Sequence, residues 1–249
     1  KSEQITIAKA LSDTDALIQS LSQLIAKKRQ IKQGAMQNLL NPYDAMGALK
    51  VGWVVKKLDD IASFSKGKGL PKSELVSDGK YDCIHYGELF TKYKENINSI
   101  LSTTNSRVDS FLSQVNDVLM PTSDVTPNGL ATASCLKTDD VILGGDILVI
   151  RAYKGLLDGV FFAYLVNLER NQVMQLVTGS TVYHLYGSDM AKFKFGMPEK
   201  FEEQTKIAQI LTDMDTEITT LETKLSKYQK IKQGMMQNLL TGRIRLVSE

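Results

Sequence analysis

EQITIAKALSDTDALIQSLSQLIAKKRQIKQGAMQNLL, residues 3–40, returns without a gap as EQTKIAQILTDMDTEITTLETKLSKYQKIKQGMMQNLL, residues 203–240. The two copies share 19 identities in 38 positions, and residues 31–40 differ from their counterparts only at Ala35. In the second copy Ile207, Leu211, Met214, Ile218, Leu221, Leu225, Tyr228, Lys232, Met235 and Leu239 alternate at spacings of four and three. That spacing is the apolar seam of a coiled coil, broken only at Lys232. The first copy carries the same seam through Ile7, Leu11, Thr14, Ile18, Leu21, Ile25, Lys28, Lys32, Ala35 and Leu39. Neither copy contains proline, and each predicts a helix of roughly 57 Å.

A helix with an apolar stripe needs a partner, and the two copies supply one for each other. About 160 residues separate them. The economical arrangement is an antiparallel pair, with the intervening chain returning to the end it left. This divides the chain into a first helix (1–41), a globular domain (42–198) and a second helix with a tail (199–249). Each helix holds one glycine, Gly34 or Gly234, at a cost of about 1 kcal/mol against alanine. Either another backbone approaches closely there or the helix is interrupted.

The middle segment mixes strand-like and helical patterns, so its class is α/β or α+β. Residues 51–58 (VGWVVKKL) read as a strand with Trp53 as a core anchor, and 65–73 as a basic, glycine-rich flexible loop. Residues 81–86, 117–120 and 142–150 are strand-like, the last with a Gly144-Gly145 bend. Apolar and aromatic residues at helical spacing in 160–169 assign Phe161, Phe162, Tyr164 and Leu165 to the core. A turn at 178–180 leads into a further strand.

Composition excludes several classes. The chain has 249 residues, is 43% hydrophobic and carries a formal net charge of +2. No run of 18 apolar residues is present, so neither a membrane span nor a signal peptide is expected. Cys83 and Cys135 lie far apart and outside any metal-ligand spacing, as free thiols in a reducing cytoplasm do. The middle segment has 16 basic and 17 acidic residues, so nucleic-acid binding there needs local basic clusters. No nucleophile elbow, zinc spacing or dinucleotide motif appears, and Lys72-Ser73 follows proline where a phosphate loop requires glycine. His85 and His184 sit in strand-like segments, where structural roles are the commoner ones.

The paired helices, the closing Leu240-Thr241-Gly242-Arg243-Ile244-Arg245-Leu246, Trp53 followed by Leu58-Asp59-Asp60-Ile61, and Gly145-Asp146-Ile147-Leu148 together resemble the DNA-specificity subunits of type I restriction-modification enzymes. The resemblance implies a non-catalytic protein with one target-recognition domain reading half of a split site in double-stranded DNA. It also implies helices that act as spacer and as docking surface for methyltransferase subunits. S-adenosylmethionine and ATP would then belong to the methyltransferase and restriction partners. The family usually carries two recognition domains, so this chain is expected to be half of a longer subunit or a half-subunit that pairs as a homodimer. A coiled-coil adaptor without DNA readout is the alternative.

Loop position and side-chain chemistry nominate Lys66, Lys68, Lys72, Lys92, Tyr93, Lys94, Arg151, Tyr153, Lys154, Thr181, Tyr183 and His184 for DNA contact. Helix pairing and partner capture are assigned to Ile7, Leu11, Ile18, Leu21, Ile25, Gly34, Ile207, Leu211, Met214, Ile218, Leu221, Leu225, Tyr228 and Gly234.

Overall fold

A computed structural model describes residues 1–245; Leu246, the last residue of the closing motif, lies outside them. The chain divides into two compact units, one comprising Lys1–Ala35 with Ile210–Glu249 and the other Met36–Gln209.

The first unit is a pair of long helices, cut from Ser2–Leu40 and Phe201–Leu239. Early residues of one face late residues of the other, so the pair is antiparallel: Asp15 meets Lys232, Lys28 meets Glu217, and Lys32 meets Asp215. Leu21, Ile25, Leu211 and Ile218 are buried, whereas Ile7, Leu11, Ile18, Ile207, Met214, Leu221, Leu225 and Tyr228 are half-buried.

The lysines that interrupt the apolar seam have partners. The Lys32 ammonium reaches both oxygens of Asp215 at 2.7 and 2.6 Å, and Lys232 reaches Asp15 at 2.5 Å. These are the same pair twice, because Lys32 and Asp15 occupy the repeat positions of Lys232 and Asp215. A charge on a half-buried seam is tolerated when an opposite charge faces it. Antiparallel pairing of identical segments places that opposite charge at both crossings.

At the glycines, within this chain, neither expectation is met. Both helices run unbroken through Gly34 and Gly234, and a Cβ added at either would meet nothing within 4 Å. The first helix stops at Leu40, ahead of Asn41-Pro42, because proline forces its predecessor out of helical geometry. The second stops at Leu239, and Gly242 (φ +71°) takes the left-handed position that accommodates the returning chain.

The second unit is built on two five-stranded sheets. In the first the order is Ala62–Lys66, Ile147–Ala152, Val118–Pro121, Ser134–Leu136 and Asn96–Ile97; in the second it is Leu75–Val76, Ser102–Thr104, Tyr81–Ile84, Ile142–Leu143 and Phe111–Leu112. Pairing is antiparallel except for Ser134–Leu136 with Asn96–Ile97 and Ile142–Leu143 with Tyr81–Ile84. A three-stranded sheet sets Tyr183–His184 between Thr178–Gly179 and Ser123–Asp124. Trp53–Lys57 pairs antiparallel with Lys194–Pro198, joining the start and end of the unit.

The one apolar helix of this unit, Gly159–Leu168, is buried nearly all round, with Phe161, Phe162, Tyr164 and Leu165 at 2% exposure or less. A helix hydrophobic on every face belongs inside. Its first turn is capped by Asp158, whose Oδ1 accepts from Val160 and Phe161 N–H, each at 2.9 Å. Trp53 is half-buried and meets Phe161 edge-on with ring centroids 6.5 Å apart.

The strand expected over 142–150 is two strands, Ile142–Leu143 and Ile147–Ala152, which belong to different sheets. The Gly144-Gly145 bend carries the chain from one to the other. The expected flexible loop at 65–73 is ordered. Ser65 and Lys66 end a strand, Gly67 and Lys68 donate to Ile147 and Leu143 carbonyls at 2.9 and 3.0 Å, and Gly145 donates to Gly69 at 2.8 Å. A Cβ on Gly67 would lie 2.1 Å from the Gly144 carbonyl oxygen, so only glycine fits this crossing.

Candidate nucleic-acid interface

The strand ending at Lys66, Asp146 just after the Gly144-Gly145 bend and the turn after His184 converge on a cleft of about 450 Å³. Lys66 and Asp146 form an ion pair at 2.9 Å on its rim, both more than two-fifths exposed. Asp146 sits at φ +61° as the chain turns into its strand, and the Thr122 hydroxyl donates to its Oδ1 at 3.3 Å. The opposite side carries His184 and Tyr186, stacked with centroids 5.8 Å apart and planes 14° from parallel. Tyr186 is 53% exposed. The cleft thus presents a cation, a carboxylate, a hydroxyl and two ring faces, groups that can pair with a phosphate, base edges and a base plane respectively.

Beside the strand Ile147–Ala152 a second groove of about 660 Å³ is lined by Lys137, Arg151, Tyr153 and Lys154, with Asn116 and Gln114 below. Tyr153 is half exposed, and Lys154 is exposed next to Gly155 at φ +78°. Arg151 is otherwise engaged. Its Nε and Nη2 donate to Asp117 Oδ1 and Oδ2 at 2.8 and 2.7 Å, and Asp117 is fully buried. Hydrogen bonding to that carboxylate raises the guanidinium above its ordinary pKa.

The segment 92–94 divides in the same way. The Lys92 ammonium bonds Glu88 Oε1 at 2.6 Å and Ser102 Oγ at 3.2 Å, and the Ser102 hydroxyl donates to the same Glu88 oxygen. Burial pushes the Glu88 carboxyl up, but the bonds from Lys92, Ser102 and the His85 N–H outweigh it and lower the pKa. Tyr93 accepts from Leu101 N–H at 3.0 Å, and burial pushes its hydroxyl up to about 12. Lys94 is exposed. Lys92, Tyr93 and Arg151 are bonded within the fold, Lys92 while still exposed; Lys66, Lys68, Lys72, Lys94, Tyr153, Lys154 and Thr181 also lie on the surface, with Tyr183 and His184 half-buried.

Sequence reasoning nominated Lys66 and His184 but not Asp146, Thr122 and Tyr186, which line the same cleft. Alternation in Tyr183-His184-Leu185-Tyr186 contained a signal for the last: Leu185 is fully buried, so residues 184 and 186 project to the other side of it. Nor did sequence reasoning single out Lys80 and Arg107, whose cationic groups lie 5.2 and 5.4 Å from the Tyr81 ring. His85 is structural, its Nδ1 accepting from Gly87 N–H at 3.2 Å. Cys83 and Cys135 are buried and unpaired, with burial pushing their thiols up to about 11 and about 12. Among the described residues no three His, Cys, Asp or Glu side chains gather as a metal site would require, and no helix is long and apolar enough to cross a membrane.

A helical repeat and a mixed α/β unit with a polar, ring-lined cleft define a modular binding protein. The family model described as type I restriction modification DNA specificity domain matches residues 50–233, and the chain belongs to that family. It is 24% identical over 263 residues to the type I restriction enzyme MjaVIII specificity subunit of Methanocaldococcus jannaschii, covering 98% of this chain and 60% of that one. A putative MjaX specificity subunit from the same organism is 25% identical, with 98% and 58% covered. The fold is similar to that of the HsdS subunit from Thermoanaerobacter tengcongensis, at TM-score 0.61 and 13% identity over 96% of this chain and 57% of that chain. It is also similar to the type I S subunit from M. genitalium, at TM-score 0.64 and 17% identity, with 96% and 61% covered. The chain thus spans about three-fifths of the length of these relatives.

Proposed function

We propose that this chain is the DNA-reading component of a type I restriction-modification complex, with the globular unit recognising one half of a bipartite site in double-stranded DNA. The family match over residues 50–233 carries the reading, and the cleft between Lys66 and Tyr186 gives it candidate residues. Lys66, Lys68 and Lys72 fix register through phosphates, while Asp146, His184 and Tyr186 face base edges and planes. The helices act as spacer and as the docking surface for methyltransferase subunits, with the restriction subunit joining the full complex in the cytoplasm. The chain performs no chemistry itself, and S-adenosylmethionine and ATP belong to the partners.

Lys66 and Lys68 pair with Asp146 and Asp109, in ion pairs whose members are 45–80% exposed. Exposed pairs contribute about 0–1 kcal/mol, so both lysines are available to a phosphate at little cost. Replacing both with alanine should weaken binding equally on all duplex sequences. It should also flatten the dependence of log K on log salt by up to about 2, roughly 0.9 per lost phosphate contact. An unchanged slope would remove this segment from the interface. No DNA binding, with or without the methyltransferase, would leave the adaptor reading. A second reader comes either from a second domain or from a second copy, which as a two-fold dimer would read an interrupted palindrome; a monomer mass by light scattering at micromolar concentration would count against the copy.

A further inference from the structure

Thr104 ends one strand of the second five-stranded sheet and Phe111 begins another, with the strands Tyr81–Ile84 and Ile142–Leu143 lying between them. Residues 105–110 cross that end of the sheet as a braced tip. Asn105 Oδ1 accepts from Lys80 N–H at 3.1 Å, and Thr104 Oγ1 accepts from Ser106 N–H at 3.3 Å. Asp109, at φ +52°, pairs at 2.7 Å with Lys68, two residues past Lys66 on the rim of the cleft. Between these supports the tip projects, with Val108 88% exposed.

Arg107 is the cation that this tip holds out. Its guanidinium lies over the Tyr81 ring, with Cζ 5.4 Å from the centroid, and Lys80 Nζ lies 5.2 Å from the same centroid. The ring is itself anchored, because Tyr81 packs against the buried cluster of Leu70, Cys83 and Ile142. The globular unit has three arginines, and the other two are spoken for. Arg151 forks onto the buried Asp117, and Arg170 Nη2 donates to the Asn128 carbonyl at 2.7 Å. Among the described residues Arg107 makes no hydrogen bond; the nearest carboxylate, Asp140, stands 3.7 Å away and is 76% exposed, a pair that opens at little cost. A guanidinium laid on an aromatic face keeps its edge donors available and loses little freedom when they bind.

We propose that Arg107 is a specificity-determining residue, its planar fork donating to O6 and N7 of one guanine in the major groove, with Tyr81 as the platform that orients it. Charge alone would suit a phosphate, and Lys66, Lys68 and Lys80 already supply it. A fork held against a ring matches instead the coplanar pair of acceptors on a guanine edge. The tip thus adds a reading element to the one at the neighbouring cleft, and the assignment rests on the reading of the globular unit as a DNA-recognition domain.

The test selects duplexes from a randomised pool with the parent and with Arg107→Lys, each alone and together with the methyltransferase. The substitution keeps the charge, so log K should fall with log salt at the parent's slope. The preference for guanine at one position should be lost, every other position should read as in the parent, and the parent's best duplex should bind about 10- to 100-fold more weakly. Tyr81→Phe keeps the ring and should leave that preference intact, whereas Tyr81→Leu should relax the same position and no other. Arg107 makes no hydrogen bond in the fold, so its replacement should leave the melting point unmoved. Weakening that is equal on all sequences would make Arg107 a phosphate contact, and a variant that selects the parent's site unchanged would remove it from the interface. Either result overturns the assignment and leaves the DNA reading standing. A parent that enriches no sequence, with or without methyltransferase, would overturn the DNA reading and the assignment with it.

Discussion

Replacing Arg151 with alanine separates a fold-holding cation from a DNA-reading one. Asp117 is fully buried and receives three bonds, two from Arg151 and one from Gln114 N–H at 2.8 Å. Removing Arg151 leaves one bond on a buried carboxylate. Breaking a buried pair from one side costs about 3–5 kcal/mol. Arg151 is 31% exposed at its side chain and Asp117 keeps the Gln114 bond, so the lower end of that range applies, about 3 kcal/mol. Loss of the guanidinium over the Phe111 ring, 5.7 Å from its centroid, adds about 0.5 kcal/mol. Urea denaturation should show a lowered midpoint with an unchanged slope, and DNA affinity measured well below that midpoint should stay within about threefold of the parent, as expected where no base or phosphate contact is lost. A variant as stable as the parent that no longer binds DNA would refute this assignment and return Arg151 to the interface.

Glu88 has its pKa lowered in the folded state, so its contribution to stability is present above the ordinary carboxylate value near 4.3 and is lost as pH falls through the folded value. The parent should therefore lose more stability than Glu88→Gln between pH 6 and pH 3, by urea melts at each pH. Gly34→Ala and Gly234→Ala meet open space and should each stabilise the helix pair by up to about 1 kcal/mol; loss of methyltransferase co-purification despite the higher melting point would mark the glycines as the place where a partner's backbone approaches. Native protein at pH 8 should consume no thiol reagent, and two equivalents in denaturant, because Cys83 and Cys135 are buried with raised pKa values.

Long-period features were legible in the sequence and short ones were not. Two 39-residue helices announced themselves because a spacing of four and three repeated over ten positions, twice. The buried helix at 159–168 was legible because its aromatic residues have no polar face to show. Strands of two or three residues, such as Leu75–Val76 and Phe111–Leu112, are too short for alternation to register. Ser102 and Thr104 are polar yet buried, and the Glu88 carboxylate that satisfies Ser102 lies fourteen residues away. The same distance effect hides the partners of nominated residues. Nothing local to Arg151 discloses that Asp117, thirty-four residues earlier, claims its guanidinium, whereas the exposure of Lys66 could be inferred from the glycines that follow it.

The crossed Lys32–Asp215 and Lys232–Asp15 pairs also bear on mechanics. Sliding one helix along the other by a turn would part both pairs at once and set each lysine against the wrong side chain. The pair is therefore a strut that does not telescope, and its length is written in residue count. Seven residues inserted between positions 15 and 32 of one helix alone would leave only one of the two crossings able to form, whereas the same insertion in both, between the crossings, would preserve them and lengthen the strut by about 10 Å.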